Sequence, residues 1–460
     1  MALMVERARR LGWILLKAVL RFSFMAINNL VAIPSYVLYL IVLQPLRLMD
    51  SRTFWHIEGV MFKWLLAMVS SWGWAAGYTG ITHMYMFVNS VTDSVKMTTD
   101  VWAVSALALF TMQYTVQGMG EAVEEHIVNP TSGIDWLCVT LGGIHKNPWG
   151  VVDMGRVMEW GDDVRPISEE AAVVIANHQA TGDVCTLMMC LQDKGTVVRK
   201  MMWLMDHVFK YTNFGLVSLI HGDFFIRQGK AHRDKQLFLL KDHLDKYYHS
   251  RDRKWIVLFP EGGFLRKRRE TSQAFSKKYN LPFLKHVTLP RMGATKVILK
   301  SLGPQQENGS LGAGDATRSD SAQPSAALKC YCASKSKGLQ WVVDITIAYT
   351  KARPMDIQTW ILAYRPPAVT HVHYRIYPIK DVPVETEPLT NWLYQRFVEK
   401  EELLAHFYET GAFPPPEGQK EAVSKEMTLD PVWLFLVQSF AFASGYMWYN
   451  VLQYFYYVFF

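Results

Sequence analysis

Charge is what this chain has little of. Asp, Glu, Lys and Arg make up 19% of its 460 residues, while 50% are hydrophobic and 13% aromatic; average soluble domains carry about 25% charged residues. That composition excludes a disordered or low-complexity protein and places part of the chain in lipid. Neither sign dominates: 48 basic minus 41 acidic residues leave +7. This suits anionic partners such as phospholipid headgroups or CoA, and it falls well short of the basic footprint of a nucleic-acid-binding protein. Cysteine is also scarce. The five residues (Cys138, Cys185, Cys190, Cys330, Cys332) are odd in number and contain no C-x-x-C pair, which argues against a disulfide framework or a structural zinc site and fits a reducing compartment. No G-x-S-x-G serine elbow occurs anywhere.

The missing charge is missing locally. Phe22–Leu46 runs for 25 residues without one, and about 20 apolar residues span a bilayer core. Arg7, Arg9, Arg10, Lys17 and Arg21 precede it, as in a signal peptide, but the run is too long and no small-residue cleavage site follows. A retained membrane anchor is expected over residues 1–79, with Asn28, Asn29 and Pro34 marking a kinked or interfacial helix. Trp64–Thr79 reads as a second span or a re-entrant hairpin. Pro431–Phe460 holds 30 residues with no charge and is crowded with Trp, Tyr and Phe, which favour membrane interfaces; residues 430–460 read as a membrane-associated tail. The early arginines favour a cytosolic N-terminus.

Between these ends the pattern alternates strands and helices. Ala171–Ala176 and Trp255–Phe259 read as buried strands, Val342–Tyr349 and His371–Tyr377 as alternating ones, and Leu216–Ile226 as two β-rich pieces around His221-Gly222. Asp183–Asp193 and Arg233–Tyr248 read as helices. The expected fold is α/β, a mixed sheet flanked by helices, with ligands at the C-terminal ends of strands. Residues 301–340, rich in Gly, Ser, Ala, Gln and Asp, read as a flexible loop. Residues 80–156 read as an insertion to which the sequence assigns no role, although Val101–Gly120 is uncharged.

Asn177-His178-Gln-Ala-Thr-Gly-Asp183 follows a strand and opens a helix. A carboxylate placed there can fix the imidazole tautomer and stabilise the imidazolium, leaving His178 to deprotonate a substrate hydroxyl; a helix cap with Asp183 in the first turn is the plainer reading. At Phe259-Pro-Glu261-Gly262-Gly263 a second strand ends in a Gly-rich turn that lets backbone approach a ligand. His221-Gly222-Asp-Phe-Phe-Ile-Arg227 puts a cation beside a third strand, and Val287-Thr-Leu-Pro290-Arg291 is read as ending a fourth.

These four blocks, in this order, resemble the glycerophospholipid acyltransferases of the lysophosphatidic-acid acyltransferase superfamily, and the variants Leu284–Arg291, Asp344–Tyr349 and His371–Arg375 are similar to its lysocardiolipin-acyltransferase side. The resemblance implies an acyltransferase core over 157–300, with 341–429 as the C-terminal part of the same catalytic domain. It implies a membrane-bound, acyl-CoA-dependent lysophospholipid O-acyltransferase of the endoplasmic reticulum. Lysophosphatidylglycerol or lysophosphatidylethanolamine would accept a saturated chain such as stearoyl, with acyl-CoA as co-substrate, no other cofactor, no metal and no acyl-enzyme. It makes His178 the general base and Asp183 its orienting partner. Asn177, Gly222, Arg227, Glu261, Gly262, Gly263 and Pro290 become substrate-binding residues. Two departures stand out: the family's Arg falls where Gln228 stands, and Gly263-Phe264 replaces the usual Thr/Ser-Arg, so Arg227, Lys230, Arg233 and Arg266 are all candidates for the phosphate. Monoacylglycerol acylation and a non-catalytic acyl-CoA- or lipid-binding scaffold remain as alternatives.

Other features are weaker. Arg266-Lys-Arg-Arg269 with Lys277 and Lys278 suits CoA phosphates or anionic lipid, or a solvated helix face. His371 and His373 share a strand face but have no third ligand nearby in sequence. Asn308-Gly-Ser310 is a glycosylation sequon in a loop expected to face the cytosol. Cys185 and Cys190 read as core.

Overall fold

The computed structural model describes residues 2–77, 157–303, 338–362, 369–415, 418 and 422–459. Eight strands form one mixed sheet in the order β4-β3-β5-β2-β6-β7-β1-β8. They are β1 (Val157–Gly161), β2 (Ala172–Ala176), β3 (Met201–Asp206), β4 (Phe224–Ile226), β5 (Trp255–Leu258), β6 (Trp341–Tyr349), β7 (Thr370–Pro378) and β8 (Ser424–Met427). β2 to β6 run parallel, so their C-terminal ends share one edge; β7 is antiparallel to β6, β1 is parallel to β7, and β8 returns antiparallel to β1. One sheet therefore joins the residues on both sides of 304–337.

The helices are α1 (Ala2–Val42), α2 (Gln44–Met49), α3 (Ser51–Gly77), α4 (Gly182–Cys190), α5 (Asn213–His221), α6 (Arg233–Tyr247), α7 (Leu265–Tyr279), α8 (Met292–Leu302), α9 (Ile357–Leu362), α10 (Thr386–Thr410) and α11 (Pro431–Phe459). β2 is apolar throughout because both of its faces are covered, as parallel sheets require. Ala172, Val174 and Ala176 join a core with Phe62 and Leu66 of α3, Tyr36 and Leu40 of α1, and Leu434 and Val437 of α11. Val173 and Ile175 point the other way, to Leu240 and Leu244 of α6, Ile298 and Leu299 of α8 and Leu393 and Phe397 of α10. The period-2 alternation of a strand thus divides the interior into two layers.

The N-terminal segment differs from the expected anchor in its second half. α3, which includes Trp64–Gly77 of the stretch expected to be a span or hairpin, packs into one core with the sheet, with Phe62, Trp64, Leu65, Leu66, Ala67 and Met68 buried. Only α1, over Met4–Val42, is long and apolar enough to cross a membrane among the described residues. Its first half leaves Met4, Leu11, Leu15, Leu16 and Val19 exposed, and Pro34 sits inside it. The C-terminal run is one continuous helix, α11. Its first half packs on α1 and α3, where Trp64 Nε1 donates to the Val437 carbonyl at 3.0 Å and Tyr39 to Ser444 Oγ at 3.0 Å. Its end leaves Tyr446, Tyr454, Tyr456 and Tyr457 exposed.

Two local expectations fail, and one strand was not expected. Leu216–Ile220 is helical: Thr212 Oγ1 accepts from the Gly215 N–H at 2.9 Å and Gly222, at φ +101°, closes the helix, so capping at both ends outweighs β propensity. Val287–Arg291 is a loop outside the sheet, with the Val287, Thr288 and Leu289 N–H groups donating to the side chains of Glu401, Glu261 and Ser272. The methionine-rich β3 was not foreseen. Residues 80–156, the sequon at Asn308, and Cys138, Cys330 and Cys332 lie outside the described residues.

Candidate active site

β2 lies between β5 and β6, and three chain segments meet where these parallel strands end. The register pairs Ala176 with Ile345 and Ile175 with Leu258. His178, two residues past β2, is therefore level with Glu261 on one side and Ile347 on the other, two residues short of Tyr349. His178 Nδ1 lies 2.9 Å from Asp183 Oδ2. The same oxygen accepts the Gln179 and Ala180 N–H groups at 2.6 and 2.9 Å, and the Tyr349 hydroxyl donates to Asp183 Oδ1. Asp183 is fully buried in the first turn of α4. Burial and the Asp183 charge raise Tyr349 well above its ordinary value, so it stays a proton donor. The turn that makes this possible needs glycine: a Cβ on Gly182 would lie 2.0 Å from the Met355 carbonyl oxygen, to which the Gly182 N–H donates.

The His178 ring stacks on Phe259, with centroids 4.0 Å apart, and Phe264 closes in at 4.5 Å. With Nδ1 turned to Asp183, Nε2 is the nitrogen left for substrate; the side chain is 12% exposed. Asn177 does not face this opening. Its amide donates to the Ile347 carbonyl at 3.0 Å and accepts the Ile347 N–H at 2.7 Å, pinning the end of β2 to β6.

Glu261 is buried and turned inward. Its Oε1 accepts the His178 backbone N–H at 2.7 Å, and its Oε2 accepts Thr288 N–H and Oγ1–H at 2.8 and 2.6 Å. Burial pushes this carboxyl up to about 7, against the pull of those three donors and with the Asp183 charge adding to the rise. Glu261 thus ties the His178 loop to the Val287–Arg291 segment. Pro290 is buried there, and the Arg291 N–H donates to the Pro260 carbonyl at 2.8 Å. Gly262 and Gly263, at φ +69° and +150°, bring their backbone against two arginine side chains: a Cβ would lie 3.0 Å from Arg291 Cδ and 3.1 Å from Arg268 Cγ. Burial lowers both arginines, and Arg268 also lowers Arg291 by like charge.

The remaining expected residues scatter. Arg227 is exposed at the end of β4, on the same sheet edge but three strands from β2. Its neighbour Gln228 accepts from Arg291 Nη1 at 3.2 Å, so the β4 exit adjoins the arginine pair. Lys230 and Arg233 are exposed, and Arg266 pairs with Asp356 at 3.3 Å. Gly222 is at the opposite edge, before β4. His371 accepts from Trp160 Nε1 at 3.1 Å and His373 packs on Phe413; no group of three metal-binding side chains occurs among the described residues. Cys185 and Cys190 are buried and free, with burial pushing the Cys185 thiol up to about 12. Tyr349, Arg268 and Arg291 were the residues that motif reading passed over. Arg268 was visible within the basic run and Arg291 beside Pro290, but nothing local to Tyr349 linked it to Asp183.

The arrangement is an imidazole oriented by a carboxylate, an aromatic wall and a cationic rim. Residues 160–292 match the family model described as acyltransferase, and residues 360–436 the one described as acyltransferase C-terminus. The chain is 59% identical over 456 residues to human acyl-CoA:lysophosphatidylglycerol acyltransferase 1, covering 99% of each chain, and 58% identical to the mouse protein of that name over the same span. A putative 1-acyl-sn-glycerol-3-phosphate acyltransferase of Caenorhabditis elegans is 30% identical over 60% of this chain and 67% of its own.

Proposed function

The chain belongs to the acyltransferase family, and from that premise we propose that it transfers a long-chain acyl group from acyl-CoA to the free hydroxyl of a lysophospholipid. The observation that carries the reading is the His178–Asp183 contact of 2.9 Å at the end of β2. His178 Nε2 takes the proton of the acceptor hydroxyl, the oxygen attacks the thioester carbonyl, and the tetrahedral intermediate expels CoA thiolate. The imidazolium, stabilised by Asp183, returns the proton to sulfur.

Arg268 and Arg291 receive the acceptor phosphate, since Arg268 Nε has no hydrogen-bond partner among the described residues, Arg291 Nη1 donates to the neutral Gln228 amide, and both pack on the glycine turn beside the His178 loop. Asn177 and Glu261 act from behind, holding the loop rather than touching substrate. The names of the close relatives support lysophosphatidylglycerol as acceptor; lysophosphatidylethanolamine and a stearoyl donor belong to the same proposal. The length and apolarity of α1, and the exposed aromatic end of α11, support a membrane-bound enzyme, which we assign to the endoplasmic reticulum, because both substrates are amphiphiles.

The test is acyl transfer from labelled stearoyl-CoA to a panel of lysolipids with membranes carrying wild type or His178→Ala. Loss of at least a thousandfold is expected in the variant, with phosphate-bearing acceptors preferred by wild type. Equal rates for the two proteins would sink the mechanism, and preference for monoacylglycerol would sink the acceptor class.

A further inference from the structure

At the sheet edge opposite His178 lies a feature that acyl transfer does not use. A cleft of about 300 Å³ opens between the end of α1, the start of α3 and α5. Val37, Leu40 and Ile41 line one wall, Leu219 and Ile220 the other, Phe54 and Trp55 the base, with Gln44, Arg47 and Arg251 among them. Arg251 is clamped between Trp55 and Tyr247, its guanidinium 4.3 Å from each ring centroid, and donates to the Ile220 carbonyl at 2.7 Å. Arg47 lies 5.4 Å from the Trp55 ring and 5.9 Å from Phe54. Gly222, the motif glycine displaced from the active site, backs onto this group: a Cβ there would lie 2.5 Å from Arg251 Nη1.

These two cations have no acidic partner within 4.0 Å among the described residues, because the acids nearby are spent. Glu58 is taken by Arg253 at 2.8 Å, by His221 at 2.7 Å and by the Tyr36 hydroxyl at 2.7 Å. Asp252 pairs with Lys200 at 2.7 Å. Burial above all lowers Arg251 to about 10, with the like charge of Arg253 and Arg47 adding to it and Tyr247 and Glu58 opposing it. The apolar walls do not end at the cleft. Ile41 is 59% exposed and Leu219 42%, with Val42 and Leu216 exposed beside them.

We propose that this cleft is a second lipid site, which binds an anionic phospholipid with its phosphate between Arg47 and Arg251 and one acyl chain laid along Ile41 and Leu219. Charge complementarity selects the anion, since a guanidinium pair stacked on aromatic faces is preorganised for phosphate oxygens. The continuous apolar walls select an amphiphile over a soluble anion, because only a lipid chain covers them. The volume takes a headgroup and the first chain carbons, and the rest of the chain runs outward over the exposed residues of α1 and α5. The bound lipid is not the acceptor in turnover: Arg251 precedes β5 and Gly222 precedes β4, whereas His178 follows the opposite end of β2.

The test uses the full chain in detergent micelles and a photoreactive phosphatidylserine, with phosphatidylcholine of the same chains as the neutral probe. Adducts are mapped by mass spectrometry. Labelling of residues 53–63 and 211–227 is expected with phosphatidylserine and at least tenfold less with phosphatidylcholine. Arg47→Gln with Arg251→Gln should reduce it at least tenfold, while acyl transfer at saturating substrates stays unchanged. Leu219→Trp, which fills the cleft but keeps both guanidiniums, should cause the same loss, and it serves if the double variant does not fold. Equal labelling by the two lipids, or labelling indifferent to these substitutions, overturns the proposal. Full competition by millimolar inorganic phosphate reduces the site to an anion site and overturns the lipid assignment.

Discussion

Tyr349→Phe removes one oxygen from the interior and nothing else. The side chain is fully buried at the end of β6, so the ring keeps its packing. Asp183 Oδ2 has the His178 ring and two backbone N–H groups, but Oδ1 has the Tyr349 hydroxyl, and no other described donor reaches it. The variant leaves half of a buried carboxylate unsolvated. Hydrogen bonds to charged groups contribute about 1.5–3 kcal/mol, and a domain of 150–250 residues loses roughly 2–4 °C in Tm per kcal/mol, so a fall of about 3–12 °C is expected. The stripped carboxylate also holds the His178 ring less firmly. If about half of the lost interaction is expressed in the transition state, kcat falls by about tenfold, since about 1.36 kcal/mol is tenfold in rate, with little change in KM. Transfer assays on detergent-solubilised protein, with thermal unfolding beside them, read both effects. A kcat lowered a thousandfold with an unchanged Tm would refute the reasoning, because the hydroxyl would then be touching the reacting atoms.

Other outcomes follow from the same geometry. Glu261 has a folded-state value of about 7 against an ordinary 4.5, so between these values the folded chain holds a proton that the unfolded chain has released. Its contribution is full below about pH 4.5 and is lost as pH rises through 7, a change on the order of 3 kcal/mol. Glu261→Gln should therefore flatten the fall in Tm between pH 5 and 8, and an unaltered slope would count against it. Gly182→Ala should cost both folding and activity, because its Cβ meets the Met355 carbonyl oxygen at 2.0 Å; a soluble, active variant would contradict the tight turn. Lys400 and Asp344 form a buried pair at 2.5 Å. Lys400→Met should destabilise by about 3–5 kcal/mol in denaturant unfolding, while Lys400→Met with Asp344→Leu recovers most of the loss. Arg268→Ala and Arg291→Ala should each raise KM at least tenfold for phosphate-bearing acceptors with little change for monoacylglycerol, and equal effects on both would argue against phosphate contact.

The chemistry of the chain was written locally. A buried strand running into Asn177-His178, with Asp183 opening a helix, places base and carboxylate within one turn, and the 2.9 Å contact needs only that local geometry. β2, β5, β6 and β7 were legible for a related reason: their apolar or alternating runs are short and stopped by turn residues. Folding of the whole chain decided the rest. The sheet register alone brings Tyr349, 166 residues along, to Asp183, and Glu261 to the His178 backbone. Strand order put Gly222 at the far edge and left Arg227 three strands away, although both stand in a recognisable motif, because a motif carries spacing but no strand order. An uncharged run such as Trp64–Thr79 reads alike whether lipid or a sheet covers it. Tertiary packing laid α3 on the sheet and set Arg47 and Arg251, 204 positions apart in the chain, around the ring of Trp55.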